Sequence, residues 1–130
     1  MPHITLEYSA NLEAHLDMGA LCRALRDAAV ATGVFPPAGI RVRAFAATHV
    51  VIADGDPRHG FIDIAVRIGA GRDAATRSRA ADEIFAAARA FTAAHMDAHP
   101  FMLSLELREA AAETARKDSS VRRFLPPDMH

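Results

Sequence analysis

The stretch Gly60-Phe61-Ile62-Asp63-Ile64-Ala65-Val66-Arg67-Ile68-Gly69-Ala70-Gly71-Arg72-Asp73 decides the fold. Ile62, Ile64, Val66 and Ile68 alternate with Asp63, Ala65 and Arg67, the period of two expected of a strand with one buried face. Gly69 and Gly71 then turn the chain. Behind them, Ala81, Ile84, Phe85, Ala88 and Phe91 recur at helical spacing and predict a helix over roughly residues 74–97, which His99-Pro100 ends. Phe101, Leu103, Leu105 and Leu107 alternate with Met102, Ser104, Glu106 and Arg108, so a second strand follows the helix.

Towards the amino terminus the same order recurs. Ile4, Leu6 and Tyr8 alternate with His3, Thr5, Glu7 and Ser9, and residues 11–17 form a polar connection. Asp17 suits a helix N-cap, and Leu21, Cys22, Leu25, Ala28 and Ala29 supply an apolar stripe. Gly33 marks the helix end, and Pro36-Pro37 forbids its continuation. Residues 39–45 alternate again, and the pattern predicts a broken extension of that strand to Val50-Val51-Ile52. Residues 54–60 are dense in turn formers and mark the midpoint.

Residues 2–52 therefore superpose on residues 60–110, and the chain reads as a tandem repeat of one βαβ unit. The expected fold class is α/β (α+β): a four-stranded sheet with two helices on one face, since right-handed crossovers put both helices on the same side. One domain over residues 1–130 is expected, with pseudo-repeats at about 2–55 and 60–110 and a polar tail at 111–130 of open structure. The uncovered sheet face would carry His3, Glu7, Arg41, Arg43, Asp63 and Arg67 beside apolar residues such as Phe45. A face of that mixture favours other subunits over bare solvent, so an oligomer is expected.

Composition narrows the function. A chain of 130 residues with 51% hydrophobic and 24% charged residues is globular in type. Its net charge of −1 provides no basic excess for phosphates, so no nucleic acid partner is expected. No apolar run reaches the roughly 18 residues of a membrane span, so no membrane partner is expected either. Residues 1–7 lack the pattern of a secretory signal, and the lone Cys22 cannot close an internal disulfide. All but one of the basic residues are Arg, a bias of GC-rich coding, and the expected location is a bacterial cytoplasm.

Cofactor motifs are nearly absent. Gly69-x-Gly71 lacks the third glycine and the downstream acid of a dinucleotide fingerprint. His95-x-x-x-His99 has the i, i+4 spacing of two metal ligands. A histidine pair near a helix C-terminus is favourable without an ion, so no metal is expected. Cys22, on an apolar stripe, reads as a core residue.

Pro2 stands apart. Once Met1 is removed it becomes a free secondary amine at a strand end, and apolar surroundings and guanidinium groups both lower an amine's pKa. A neutral amine near pH 7 is a competent general base. Met-Pro starts are also common without catalysis. The second repeat begins at Gly60-Phe61 with an internal amide, so the chain has at most one such base.

Beyond this, the sequence resembles the tautomerase superfamily, and most closely its 5-carboxymethyl-2-hydroxymuconate isomerases. The resemblance rests on Met1-Pro2-His3 with Glu7 and Ser9-x-Asn11, and on Ala31-Thr32-Gly33-Val34-Phe35-Pro36-x-Ala38-Gly39-Ile40-Arg41-x-Arg43. It continues through Ala53-Asp54-Gly55, Ile68-Gly69-Ala70-Gly71-Arg72, Leu103-Ser104-Leu105-Glu106 and Lys117-x-x-x-Val121. It implies a homotrimer with sheets around the threefold axis, a catalytic Pro2, and substrate-binding Arg41, Arg72 and Arg43. The implied reaction converts 5-carboxymethyl-2-hydroxymuconate to its 2-oxo isomer in the breakdown of homoprotocatechuate, with no cofactor.

Residue chemistry agrees with these implied roles. Arginine grips each carboxylate of a small polycarboxylate bidentately without losing its charge. Arg41 would hold the 2-oxygen and its neighbouring carboxylate, and Arg72 a distal carboxylate near a helix N-terminus. Two other readings stand beside this one: another superfamily activity, such as dehalogenation or decarboxylation, and a non-catalytic trimeric protein that binds anions.

Overall fold

The computed structural model describes residues 1–130. Six main elements follow in order: β1 (His3–Ser9), α1 (Met18–Ala31), β2 (Arg41–Ala47), β3 (Gly60–Ile68), α2 (Ala74–Ala98) and β4 (Phe101–Glu109). The sheet order is β2-β1-β3-β4. β1 pairs with β2 in parallel and β3 with β4 in parallel, while the two halves meet through antiparallel β1 and β3. Two βαβ units joined at their first strands are what the repeated pattern predicts.

Alternation along the strands decides the layers. Ile4, Leu6 and Tyr8 of β1 and Ile62, Ile64, Val66 and Ile68 of β3 are buried. Beneath them lie Leu21, Leu25 and Ala29 of α1 and Ala80, Ile84 and Ala88 of α2, all in the same apolar cluster. The opposite sheet face carries Arg41, Arg43, Asp63, Arg67 and Ser104, together with Phe45 and Met102, which are 56% and 54% exposed. Both helices thus cover one face, and the other is free in the isolated chain.

Local chemistry sets the helix ends. The Asp17 carboxylate accepts from Ala20 N at 3.0 Å and the Asp73 carboxylate from Thr76 N at 2.8 Å, each satisfying a free donor of a first turn. Gly33, at φ 69°, takes the left-handed conformation that closes α1.

Several expectations change in detail. β2 ends at Ala47, opposite Ser9, the last residue of β1; residues 50–52 have no neighbouring strand to bond and form no strand. The polar connection contains a 3-10 turn, Ala10–Ala14, whose Leu12 is buried. The buried line of α2 runs Ala80, Ile84, Ala88, Thr92 and His95, so Ala81, Phe85 and Phe91 sit at its margin, half-buried. Thr92 tolerates burial because its hydroxyl donates to Ala88 O at 2.8 Å. Cys22 is half-buried, short of a true core position. The tail holds two short 3-10 turns, Val121–Phe124 and Pro127–Met129, with Phe124 73% exposed. No helix is long and apolar enough to cross a membrane.

Candidate active site

The start of β1 lies between two chains of cationic residues. Register places His3 beside Arg41 of β2 on one side and beside Arg67 of β3 on the other. All three side chains therefore leave the same sheet face. Arg43, two residues further along β2, reaches back to within 3.2 Å of His3 Nδ1 through Nη1. A cavity of about 570 Å³ opens here, lined by Met1, His3, Arg41, Arg67, Gly69 and Lys117 among others.

Pro2 is fully buried and does not itself line this cavity, although its neighbours Met1 and His3 do, and its carbonyl accepts from Arg41 N at 3.1 Å. That bond fixes the junction of β1 and β2. Met1 occupies the space in front of it: a Cβ at Gly39 would lie 3.1 Å from Met1 Cγ, and one at Gly69 would lie 3.9 Å from the Met1 nitrogen. The two glycines thus leave room for the first residue.

The electrostatics of this corner act on any amine placed in it. Burial, then the charges of Lys117, Arg72 and Arg41, hold the Met1 amine below its ordinary pKa. His3 is lowered as well, first by burial and then by Arg41, Arg67 and Arg43. Both shifts have the sign expected where burial and like charge disfavour a cation. The corner favours neutral bases and bound anions.

Arg72 approaches from the other direction. Nη1 donates to Gly69 O at 3.3 Å, Nη2 donates to Val34 O at 3.2 Å, and the guanidinium carbon lies 5.2 Å from the centre of the Phe35 ring. These contacts tie it to the ends of both halves, just before α2. It is not among the residues lining the cavity, although its charge acts on the Met1 amine. The structure thus gathers Pro2, Arg41 and Arg43 at one strand end and holds Arg72 at its edge.

Sequence alone assigns no function to Arg67 or Lys117. Arg67 reads there only as one charge on a sheet face, and Lys117 only as part of a tail pattern. The register of β3 against β1 brings the first to the cavity, and the return of the chain after β4 brings the second. At the far end of the sheet, His95 and His99 are joined by His15, which no spacing pairs with them.

Comparison with known proteins gives the lineage. A curated relative, 5-carboxymethyl-2-hydroxymuconate Delta-isomerase of Escherichia coli, is 33% identical over 109 residues, covering 84% of this chain and 86% of its own. The crystal structure of a 5-carboxymethyl-2-hydroxymuconate delta-isomerase matches with a TM-score of 0.88 at 35% identity, covering 95% of this chain and 92% of the other. A 5-carboxymethyl-2-hydroxymuconate isomerase from Deinococcus radiodurans R1 matches with a TM-score of 0.87 at 31% identity, covering 96% and 95%. The family model for 5-carboxymethyl-2-hydroxymuconate isomerase matches residues 2–125, and with these relatives it shows that the chain belongs to that family.

Proposed function

We propose that the chain is a cofactor-independent isomerase that converts 5-carboxymethyl-2-hydroxymuconate to its conjugated 2-oxo isomer, in the bacterial breakdown of homoprotocatechuate. The observation that carries this reading is the corner at the start of β1, where burial and the charges of Lys117, Arg72 and Arg41 hold the first residue's amine below its ordinary pKa beside a cavity lined by Arg41, Arg67 and Lys117.

With Met1 attached, the Pro2 nitrogen is an amide and cannot act as a base. Removal of Met1 turns it into a secondary amine and clears the space against Gly39 and Gly69. Neutral Pro2 then takes the 2-hydroxyl proton of the dienol and returns a proton to carbon. Arg41 holds the 2-oxygen and the adjacent carboxylate, so the charge that develops as the proton leaves meets a fixed cation. Arg43 reinforces this from the same strand face. Arg72 orients a distal carboxylate, with its dipolar setting before α2 favouring an anion.

The exposed sheet face, with Phe45 and Met102 uncovered, supports assembly into a homotrimer with the sheets inside. The test of catalysis is an absorbance assay of dienol-to-ketone conversion on protein lacking Met1. The processed wild type turns over, while Pro2→Ala loses at least about 100-fold in kcat, the scale of general-base catalysis. Arg41→Ala keeps the fold and loses turnover. Normal turnover by Pro2→Ala overturns the base assignment, and an inert processed wild type leaves only anion binding.

A further inference from the structure

At the end of the sheet remote from Pro2, three histidines from two parts of the chain face one another. His15 follows the 3-10 turn after β1; His95 lies in the last turn of α2 and His99 is the residue that caps its end. Ring centroids are 4.4 Å apart for His95 and His99, 4.5 Å for His15 and His99, and 5.4 Å for His15 and His95. One ring nitrogen from each lies within 4.8 Å of the others. We propose that His15, His95 and His99 form a binding site for a divalent zinc-class ion, with a water molecule as fourth ligand.

The backbone beneath the rings is fixed. His15 N and Leu16 N both donate to Leu12 O, and Leu12 is buried. Tyr8 Oη donates to Glu13 Oε1 at 2.6 Å and pins the same turn to β1. His99 N donates to His95 O at 2.9 Å, and the buried His95 ring meets Phe101 edge-on at 5.1 Å. The side-chain hydrogen bonds that hold the rest of the fold use none of these three rings. Three ring nitrogens free of other hydrogen bonds thus lie close together on an ordered frame.

The geometry fits an ion after a small adjustment. Zinc bonds imidazole nitrogen at about 2.0–2.1 Å, which places tetrahedral ligands about 3.3 Å apart. Closing the trio requires rotation of the exposed His15 ring towards the other two, and a turn of the half-buried His99 ring out of its 24° stack on His95, so that the three nitrogens face one ion. The all-nitrogen set selects zinc, nickel or copper over magnesium or calcium, which require oxygen. Three imidazoles with one open position are the donor set of an accessible zinc centre, and exposed His15 leaves that position towards solvent. The length of β1, about 20 Å, separates this site from Pro2. It acts as a clamp between the first connection and the end of α2, apart from the proposed isomerisation.

The experiment uses full-length protein stripped with chelator, titrated with zinc chloride by calorimetry and with cobalt(II) by visible absorption. One ion per chain is expected, with the intense bands of tetrahedral cobalt and a raised melting temperature in zinc. His15→Ala and His99→Ala, each melting normally without metal, weaken binding by more than about tenfold. His49→Ala and His130→Ala, at histidines outside the cluster, leave it unchanged. Absence of saturable binding overturns the proposal, as does binding that survives both His15→Ala and His99→Ala.

Discussion

Arg72, proposed above to hold a carboxylate, is set before any ligand arrives. Its guanidinium bonds two backbone carbonyls and covers Phe35, so its long side chain has little freedom left to lose on binding. Lys117 has no such fixed partner among the hydrogen bonds and ion pairs of the structure, yet it is the first charge acting on the Met1 amine. Removing that charge raises the pKa of an amine at this position. A proline base works only when neutral, so its activity falls as pH drops below that pKa. The acidic limb of kcat/KM is therefore expected to move to higher pH in Lys117→Ala, with the plateau above it retained. A pH–rate profile of the processed enzyme reads this directly, and an unmoved limb would separate Lys117 from the base. Pro2, Arg41, Arg43 and Arg72 are recognisable in the sequence through motifs that contain them. Lys117 also stands in a matching tail pattern, but its place beside the first residue does not follow from it, because nothing periodic in a polar tail shows where that tail returns.

At the scale of elements, local signals proved reliable wherever a local interaction decides the outcome. Asp17 caps α1 through a bond to a residue three positions on, and Gly33 ends the helix through its own backbone conformation. Asp17→Ala is expected to destabilise the chain by about 1 kcal/mol, a drop of a few degrees in melting temperature. Asp27→Ala, on the same helix in the exposed pair with Arg26, changes stability by no more than about 0.5 kcal/mol. Thermal melts of the two variants side by side check the contrast. Residues 50–52 show the reverse case: their β-branched character suits a strand, but a strand needs a partner, and β1 has already ended. The stripe of α2 likewise shifts onto Thr92 and His95, since α1 and the sheet choose which side of a long alanine-rich helix is covered.

For the whole molecule, two helices and one sheet leave a face unfinished. Phe45 on β2 and Met102 on β4 lie at the two edges of that face, with Asp63 and Arg67 of β3 between them and Ser104 beside Met102 on β4. Ser104 Oγ already donates to Asp63 Oδ1 at 2.7 Å, which quiets one charge for close packing. The proposed trimer buries this face, so the wild type is expected to sediment at three times 14.0 kDa. Phe45→Glu places a charge against the neighbouring sheet and is expected to shift the protein towards monomer. Sedimentation velocity decides between trimer, another assembly and a monomer that leaves the face bare.

Spacing along the chain was enough for the six main elements, their repeat, the buried side of each strand and the cap of α1. Each of these follows from spacing within a few residues, where backbone geometry leaves a small menu. Which distant side chains share a space followed from packing alone. Strand register put Arg67 beside His3, the return after β4 carried Lys117 to the first residue, and the packing of α2 against the first connection closed His15 onto His95 and His99. Such meetings depend on how elements slide and stack, and a shift of one residue in register would turn every strand side chain to the opposite face.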